Sequence, residues 1–247
     1  MELREYELMA RDEAVHPWFI ATRGIIRDCF IAAGVTPESR VLDVGCATGG
    51  TMKTLAGMAR FVGLDSSPVA ARLARELSGA EVVMADATMM PFDSASFDAV
   101  VACHILEHIE DHDAAVSEIH RILKPGCPLI ALVPCHQFMY NHHDRALHHV
   151  RRYSRAGFLD LLRRNGFVPE KVAWTNSIVF PATVLTRLFS RIGPIGMPAN
   201  LGSDTSHGLG PLLPILNAVT GAERLLTRSG WQPVGVGLVV TARRADT

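Results

Sequence analysis

The chain has 247 residues, enough for one sizeable α/β domain or a core with an added lobe. Hydrophobic residues make up 48 % and charged residues 20 %, which argues against disorder. A net charge of −1 leaves no basic surplus for nucleic acid, and five cysteines without a C-x-x-C pair argue against a disulfide framework or a zinc ribbon.

The first residues, Met1–Glu7, are charged and lack the apolar centre of a signal peptide. No apolar run approaches the ~20 residues needed to cross a bilayer. A cytoplasmic protein is the expectation. Residues about 11–33 read as a helix with Trp18, Ile20, Ile25, Ile26 and Phe30 as burial points, stopped by Gly34. Short Val/Ile/Leu-rich runs then alternate with helical stretches. The strand candidates are Arg40–Gly45, Phe61–Asp65, Glu81–Ala85, Phe97–His104 and Pro128–Pro134, with helices at about 49–59, 68–78 and 112–123. Several of these strands are apolar throughout, as parallel strands covered on both faces must be. This alternation predicts a doubly wound α/β sheet.

A polar, histidine-rich loop follows at about 135–153. Ser154 is placed to cap a helix over about 155–165, and Phe167–Trp174 reads as a strand. Apolar helical patterns over about 178–192 and 215–228 flank a Gly/Pro-rich linker, and Val234–Ala242 reads as the last strand. The expected organisation is one domain, 1–247. It comprises an N-terminal helical cap (1–36), a binding core (37–134), an acceptor-side loop and helix (135–175), a helical insertion (176–233) and the last strand (234–247).

Chemistry concentrates in Val41-Leu42-Asp43-Val44-Gly45-Cys46-Ala47-Thr48-Gly49-Gly50, a buried strand entering a small-residue turn. Asp65, at the end of the next strand, is suited to accept hydrogen bonds from ribose hydroxyls. These two features alone fit a nicotinamide dinucleotide as well. Asp43 adds an independent constraint, because a carboxylate inside a strand needs a partner such as a cationic ligand group. Asp86 ends the third strand candidate, on the side where open α/β sheets bind ligands.

The ordered series VLDVGCATGG, FVGLDSS, ADATMMPFDSASFDAVV, HILEHIED and ILKPGCPLIALVP resembles the class I SAM-dependent methyltransferases, in particular the small-molecule group that includes the ubiquinone/menaquinone C-methylases. It runs over residues 40–134. The resemblance implies a Rossmann-like, seven-stranded, doubly wound sheet with an antiparallel last strand. N-terminal helices and a helical insertion before that strand complete the expected fold. It implies S-adenosyl-L-methionine (SAM) as cofactor. Asp43, Gly45 and Gly49 would lie by its methionyl part, Asp65 by the ribose, Asp86 and Ala87 by the adenine, and His104 near the methyl group, with Cys46 and Ser66 as further cofactor-binding residues. Family members often carry Gly where this chain has Ala47; Ala fits there provided its φ is negative.

SAM brings an already activated methyl group, so the protein must chiefly align the acceptor and exclude water. A hydroxyl acceptor also benefits from a general base. His104, His143, His149 and Tyr153 are the base or orienting candidates. The last three lie in a His-Asp…His-x-Arg-Arg-Tyr pattern that is similar to a methyltransferase subgroup found with glycan and lipid assembly. Arg151 and Arg152 are candidates to bind an acidic acceptor. No metal site is expected, since the adjacent His142, His143, Asp144, His148 and His149 do not by themselves converge on one point.

The expected activity is methyl transfer to a small-molecule or lipid/glycan-linked acceptor, by O- or C-methylation. An NAD(P)-dependent oxidoreductase and a non-catalytic SAM-binding regulator are the alternatives. A peripheral membrane contact through 176–228, with Arg187, Arg191, Arg224 and Arg228 at the surface, and a homodimer are the further partner expectations. Packing of the insertion on the core is the plainer reading of the same helices.

Overall fold

The computed structural model describes residues 6, 9–11, 13, 15–189, 213–230 and 233–246. Seven strands form one sheet: β1 (Arg40–Val44), β2 (Arg60–Asp65), β3 (Glu81–Met84), β4 (Ala99–Cys103), β5 (Pro128–Pro134), β6 (Phe167–Thr175) and β7 (Gly237–Arg244). Their spatial order is β3-β2-β1-β4-β5-β7-β6. β1 to β5 pair in parallel, and β7 runs antiparallel between β5 and β6. The order reverses between β1 and β4. A crevice for ligands opens at such a switch point, beyond the carboxyl ends of the strands.

Among the described residues the helices include α1 (Pro17–Ala33), α2 (Gly50–Thr54), α3 (Pro68–Ser78), α4 (His112–Ile122), α5 (His142–Ala146), α6 (Arg155–Arg164), α7 (Phe180–Phe189) and α8 (Leu213–Ser229). The apolar strands are explained by burial on both sides. Leu42, Val44, Val100, Ala102, Leu129 and Ala131 share one core with Val116, Ile119 and Ile122 of α4 and Phe158 of α6. Their neighbours Val41, Ala99, Val101, Ile130 and Leu132 point the other way and meet Ile25, Ile26 and Phe30 of α1. Alternate residues of one strand thus feed two cores.

Local chemistry sets the ends. The N-terminal helix was expected as one element, but Pro17 restarts it: His16 is extended and its ring accepts from the Trp18 N–H at 3.2 Å. Proline suits a first helical position because its missing N–H is not needed there. Gly34 closes α1 in a left-handed conformation. Ser67 caps α3 and Ser154 caps α6, as expected for the second. α2 stops about five residues short of the expected end, since Leu55 already leaves the helical conformation. The loop after β5 is not wholly irregular: it holds a 3₁₀ turn (Gln137–Met139) and α5.

α8, in the insertion before β7, packs on the rest of the chain. Arg224 of α8 donates two 2.7 Å hydrogen bonds to Asp28 of α1. Glu223 accepts the N–H groups of Ser177 and Ile178 at 2.7 and 2.9 Å. Arg224, one of the arginines expected at a membrane surface, is therefore an internal clasp. Arg191 and the side chain of Arg187 lie outside the described residues. No described helix is long and apolar enough to cross a membrane.

Candidate cofactor and acceptor site

β1 delivers the chain to the crevice at Val44, and the turn that follows is built by close approach. Gly45 has φ +69°, and its N–H and that of Cys46 both donate to the Leu64 carbonyl, at 2.7 and 3.1 Å. A Cβ at Gly45 would sit 2.5 Å from Cγ1 of Ile105, so only glycine fits. Gly49 has φ +81°, and a Cβ there would press on the Ala74 backbone at 3.0 Å. Ala47 overturns the condition set for it: its φ is +46°, in the left-handed region that glycine occupies without cost. Its N–H donates to Asp65 Oδ2 at 3.0 Å, which holds the turn in that shape. Asp65 Oδ1 accepts from the Ser67 N–H at 2.9 Å. A carboxylate has about four lone-pair sites, so two remain for ligand hydroxyls.

Beneath this turn lies a cluster of acids. Asp43 is 3 % exposed, and burial, with the charges of Glu13 and Asp65 adding to it, pushes its carboxyl up from 3.8 to about 8. Burial likewise raises Glu13, against the charge of Arg23. Arg23 is itself buried, 3.5 Å from Glu13 Oε2, and also donates to the Glu13 carbonyl. A Cβ at Gly50 would run into the Glu13 carboxylate, so the N-terminal segment lies directly on the glycine turn. Three carboxyls face one described cation here. A site with that balance is completed by a positively charged ligand. Burial also pushes the Cys46 and Cys103 thiols well up, so neither is poised as a thiolate.

Asp86 lies past β3 and is exposed; its Oδ1 accepts from the N–H and hydroxyl of Thr88, at 2.8 and 2.7 Å. These bonds lower its pKa. Ala87 is buried beside it, and Ser66 is exposed in the turn after β2.

On the other side of the crevice, His104 follows β4 with φ +54°. Its Nδ1 meets Glu107 Oε1 at 3.2 Å, and its ring packs on Trp18, centroids 5.2 Å apart. Glu107 is fully buried; burial opposes its charge, but the hydrogen bond and charge of His104 outweigh that and lower its pKa. Further out, Asp144 Oδ1 accepts from His149 Nδ1 at 3.0 Å and from Arg152 Nε at 2.7 Å. Burial opposes the charge of Asp144, yet these two donors hold it far below the usual carboxylate range. His136 stacks on Trp174 at 5.2 Å and leans on Phe180 at the same distance, and Phe138 beside it is 50 % exposed. These rings make an aromatic shelf at the acceptor side.

Residues 42–131 match the family model described as a methyltransferase domain. This segment is a class I methyltransferase domain. It holds the glycine turn, Asp43, Asp65, Asp86 and His104, and the family's methyl donor is SAM. The chain is 34 % identical over 128 residues to the chloroplastic tocopherol O-methyltransferase of Arabidopsis thaliana, covering 46 % of this chain and 37 % of that protein. It is 31 % identical over 136 residues to the sterol 4-C-methyltransferase strm-1 of Caenorhabditis elegans, covering 49 % of this chain and 41 % of that one. The chain thus spans about two fifths of the length of these curated relatives. Among solved structures, the [4+2]-cyclase SpnF superposes with a TM-score of 0.56 at 24 % identity, covering 89 % of this chain and 81 % of that one; this likeness concerns the fold.

Within the methyltransferase domain, Gly45, Cys46 and Gly49 form the glycine turn, with Asp65 bonded to it and Asp43 buried beneath it. Three acceptor-side expectations change. Tyr153 is buried, its hydroxyl donates to the Leu106 carbonyl at 3.0 Å, and burial keeps the phenol protonated, so it orients the loop rather than taking a proton. Arg152 is buried on Asp144 and the Cys135 carbonyl and is not open to an acidic acceptor. Arg151 is held by the Glu110 carbonyl at 2.8 Å. The side chain of His143 lies outside the described residues. Sequence reasoning missed Glu13, Arg23 and Glu107. The signal for Glu107 was its place in the Leu-Glu-His motif; for Arg23 it was a charge on an otherwise apolar helical face.

Proposed function

We propose that the chain transfers the methyl group of SAM to a hydroxyl or carbon of a small, largely apolar acceptor. The observation that supports this most is the acidic cluster of Glu13, Asp43 and Asp65 under a glycine turn at the topological switch point. SAM is a cation at both its sulfonium and its ammonium, which is the charge this cluster lacks. A dinucleotide brings a negatively charged pyrophosphate and would worsen the imbalance.

When bound, SAM supplies an activated methyl group. Asp43 and Glu13 hold positive charge at the methionyl end, Asp65 accepts hydrogen bonds from the ribose, and Asp86 accepts one from the adenine amino group. Trp18 and the aromatic shelf exclude water from the acceptor. His104 is the base candidate: Glu107 fixes its Nδ1, leaving Nε2 to take a proton from an acceptor hydroxyl. The relatives act on a tocopherol and a sterol, according to their names, and the exposed Phe138 and the ring of Trp174 suit an acceptor of that apolar kind.

The test is calorimetry of SAM and S-adenosylhomocysteine with the wild type, followed by a screen of apolar hydroxylated acceptors with labelled SAM. Micromolar SAM binding and labelled product are expected. NAD(P) binding in place of SAM would overturn the proposal. SAM binding without transfer to any acceptor would leave a regulator, or a chemistry other than methylation on the same fold.

A further inference from the structure

A second cluster lies just behind His104, and the proposed methyl transfer leaves most of it unused. Glu107 sits in the 3₁₀ turn Leu106–His108 with no exposed surface. Its Oε1 is occupied by His104, but its Oε2 is buried and has no hydrogen-bond partner. An unpaired carboxylate oxygen in the interior is costly, and proteins retain one chiefly where something charged completes it. Two imidazoles face it. The ligand atoms of Glu107, His108 and His149 all lie within 4.8 Å of one another, and the rings of His108 and His149 meet edge to face at 4.7 Å.

The chain holds these groups in place from behind. His149 gives its Nδ1 to Asp144, which leaves Nε2 as its free ring nitrogen. Asp144 is in turn fixed by Arg152, and the Val150 N–H donates to the Glu107 carbonyl at 2.8 Å, which pins the loop beside the turn. A carboxylate behind a histidine, with the distal nitrogen presented forward, is the arrangement that orients imidazole ligands in metal sites.

We propose that Glu107, His108 and His149 bind one divalent transition-metal ion. Two imidazole nitrogens and one carboxylate oxygen suit an ion of the zinc class, whereas magnesium and calcium take oxygen ligands. Tetrahedral ligands about 2.0 Å from zinc stand about 3.3 Å apart, so the three side chains close by roughly an ångström on binding. Three protein ligands leave a fourth position open. The ion joins the turn after β4 to the histidine loop after β5, two segments that also meet through a backbone bond, the Tyr153 hydroxyl and the Arg151 side chain.

The experiment uses the full chain, stripped with a chelator and checked for folding by circular dichroism. Zn²⁺ is titrated by calorimetry with Mg²⁺ as control, and Co²⁺ is followed by visible absorption. One equivalent of Zn²⁺ is expected, with Co²⁺ bands of nitrogen/oxygen ligation and no thiolate charge-transfer band. His149→Ala and Glu107→Gln should each weaken binding by about tenfold or more. The proposal is overturned if the folded wild type binds neither Zn²⁺ nor Co²⁺ stoichiometrically, if a thiolate band places the ion on cysteine, or if both variants bind as tightly as wild type. The Co²⁺ spectrum of the wild type decides the matter even where a variant fails to fold. SAM affinity, measured on the same preparation, reads the cofactor site separately.

Discussion

Asp43 and Asp144 are both buried carboxylates near the carboxyl end of the sheet, and their surroundings are opposite. Asp144 is saturated by the chain itself, with His149 and Arg152 on the same oxygen. Asp43 has acids for neighbours, and its carboxyl is raised to about 8. Asp144 itself needs no ligand, and its two donors fix the loop that carries it. The crevice that holds Asp43 is built around a charge the chain does not supply. A buried acid with its own cation thus marks scaffold, and one without marks a binding site.

The largest effect should come from breaking the saturated side. Asp144→Ala leaves Arg152 buried without its carboxylate and should cost about 3–5 kcal/mol of stability, read by denaturant unfolding. A loss under about 1 kcal/mol would mean that the network is not structural. On the open side, Asp65→Ala removes ribose acceptors and loosens Ala47. SAM affinity should fall about 10- to 100-fold by calorimetry, in line with hydrogen bonds to a charged group.

The third prediction separates the two acids by pH. The ordinary value for Asp43 is 3.8 and its folded value is about 8, so the folded chain holds a proton that the unfolded chain has released. Stability of the ligand-free protein should therefore fall as pH rises through that window and level off above it. Asp43→Asn should flatten this slope in thermal melts taken across the same range. SAM binding near neutral pH should expel up to about one proton, seen as a dependence of the binding heat on buffer ionisation enthalpy. A binding heat independent of buffer would remove Asp43 from the site. The smallest effect is expected at the turn itself: Ala47→Gly should relieve the left-handed strain and raise stability by up to about 1 kcal/mol, with SAM binding retained.

The core was legible because its strands are apolar on both faces and its turn demands glycine. β5 runs Pro128–Pro134 as read, and Asp65 ends β2 as placed. Short elements were harder. Pro17 reads as a helix interruption or a helix start with equal ease, and only the His16 cap decides between them. The acceptor loop was the least legible part. Tyr153 looks like a base in a polar motif, yet its hydroxyl belongs to Leu106, 47 positions earlier. Glu13 and Arg23 join the crevice through tertiary packing, and no local pattern announces that a charged pair on the N-terminal segment will lie on Gly50.

The bond between Asp28 and Arg224 joins positions 196 apart. On a growing chain it can form only after residue 224 has emerged, long after the β1 turn and the acids of β2 and β3 have been made. Until then, α1, which carries Arg23 of the charged pair, lacks its bond to α8. The order of synthesis therefore makes the residues of the cofactor crevice first and ties α1 to α8 last.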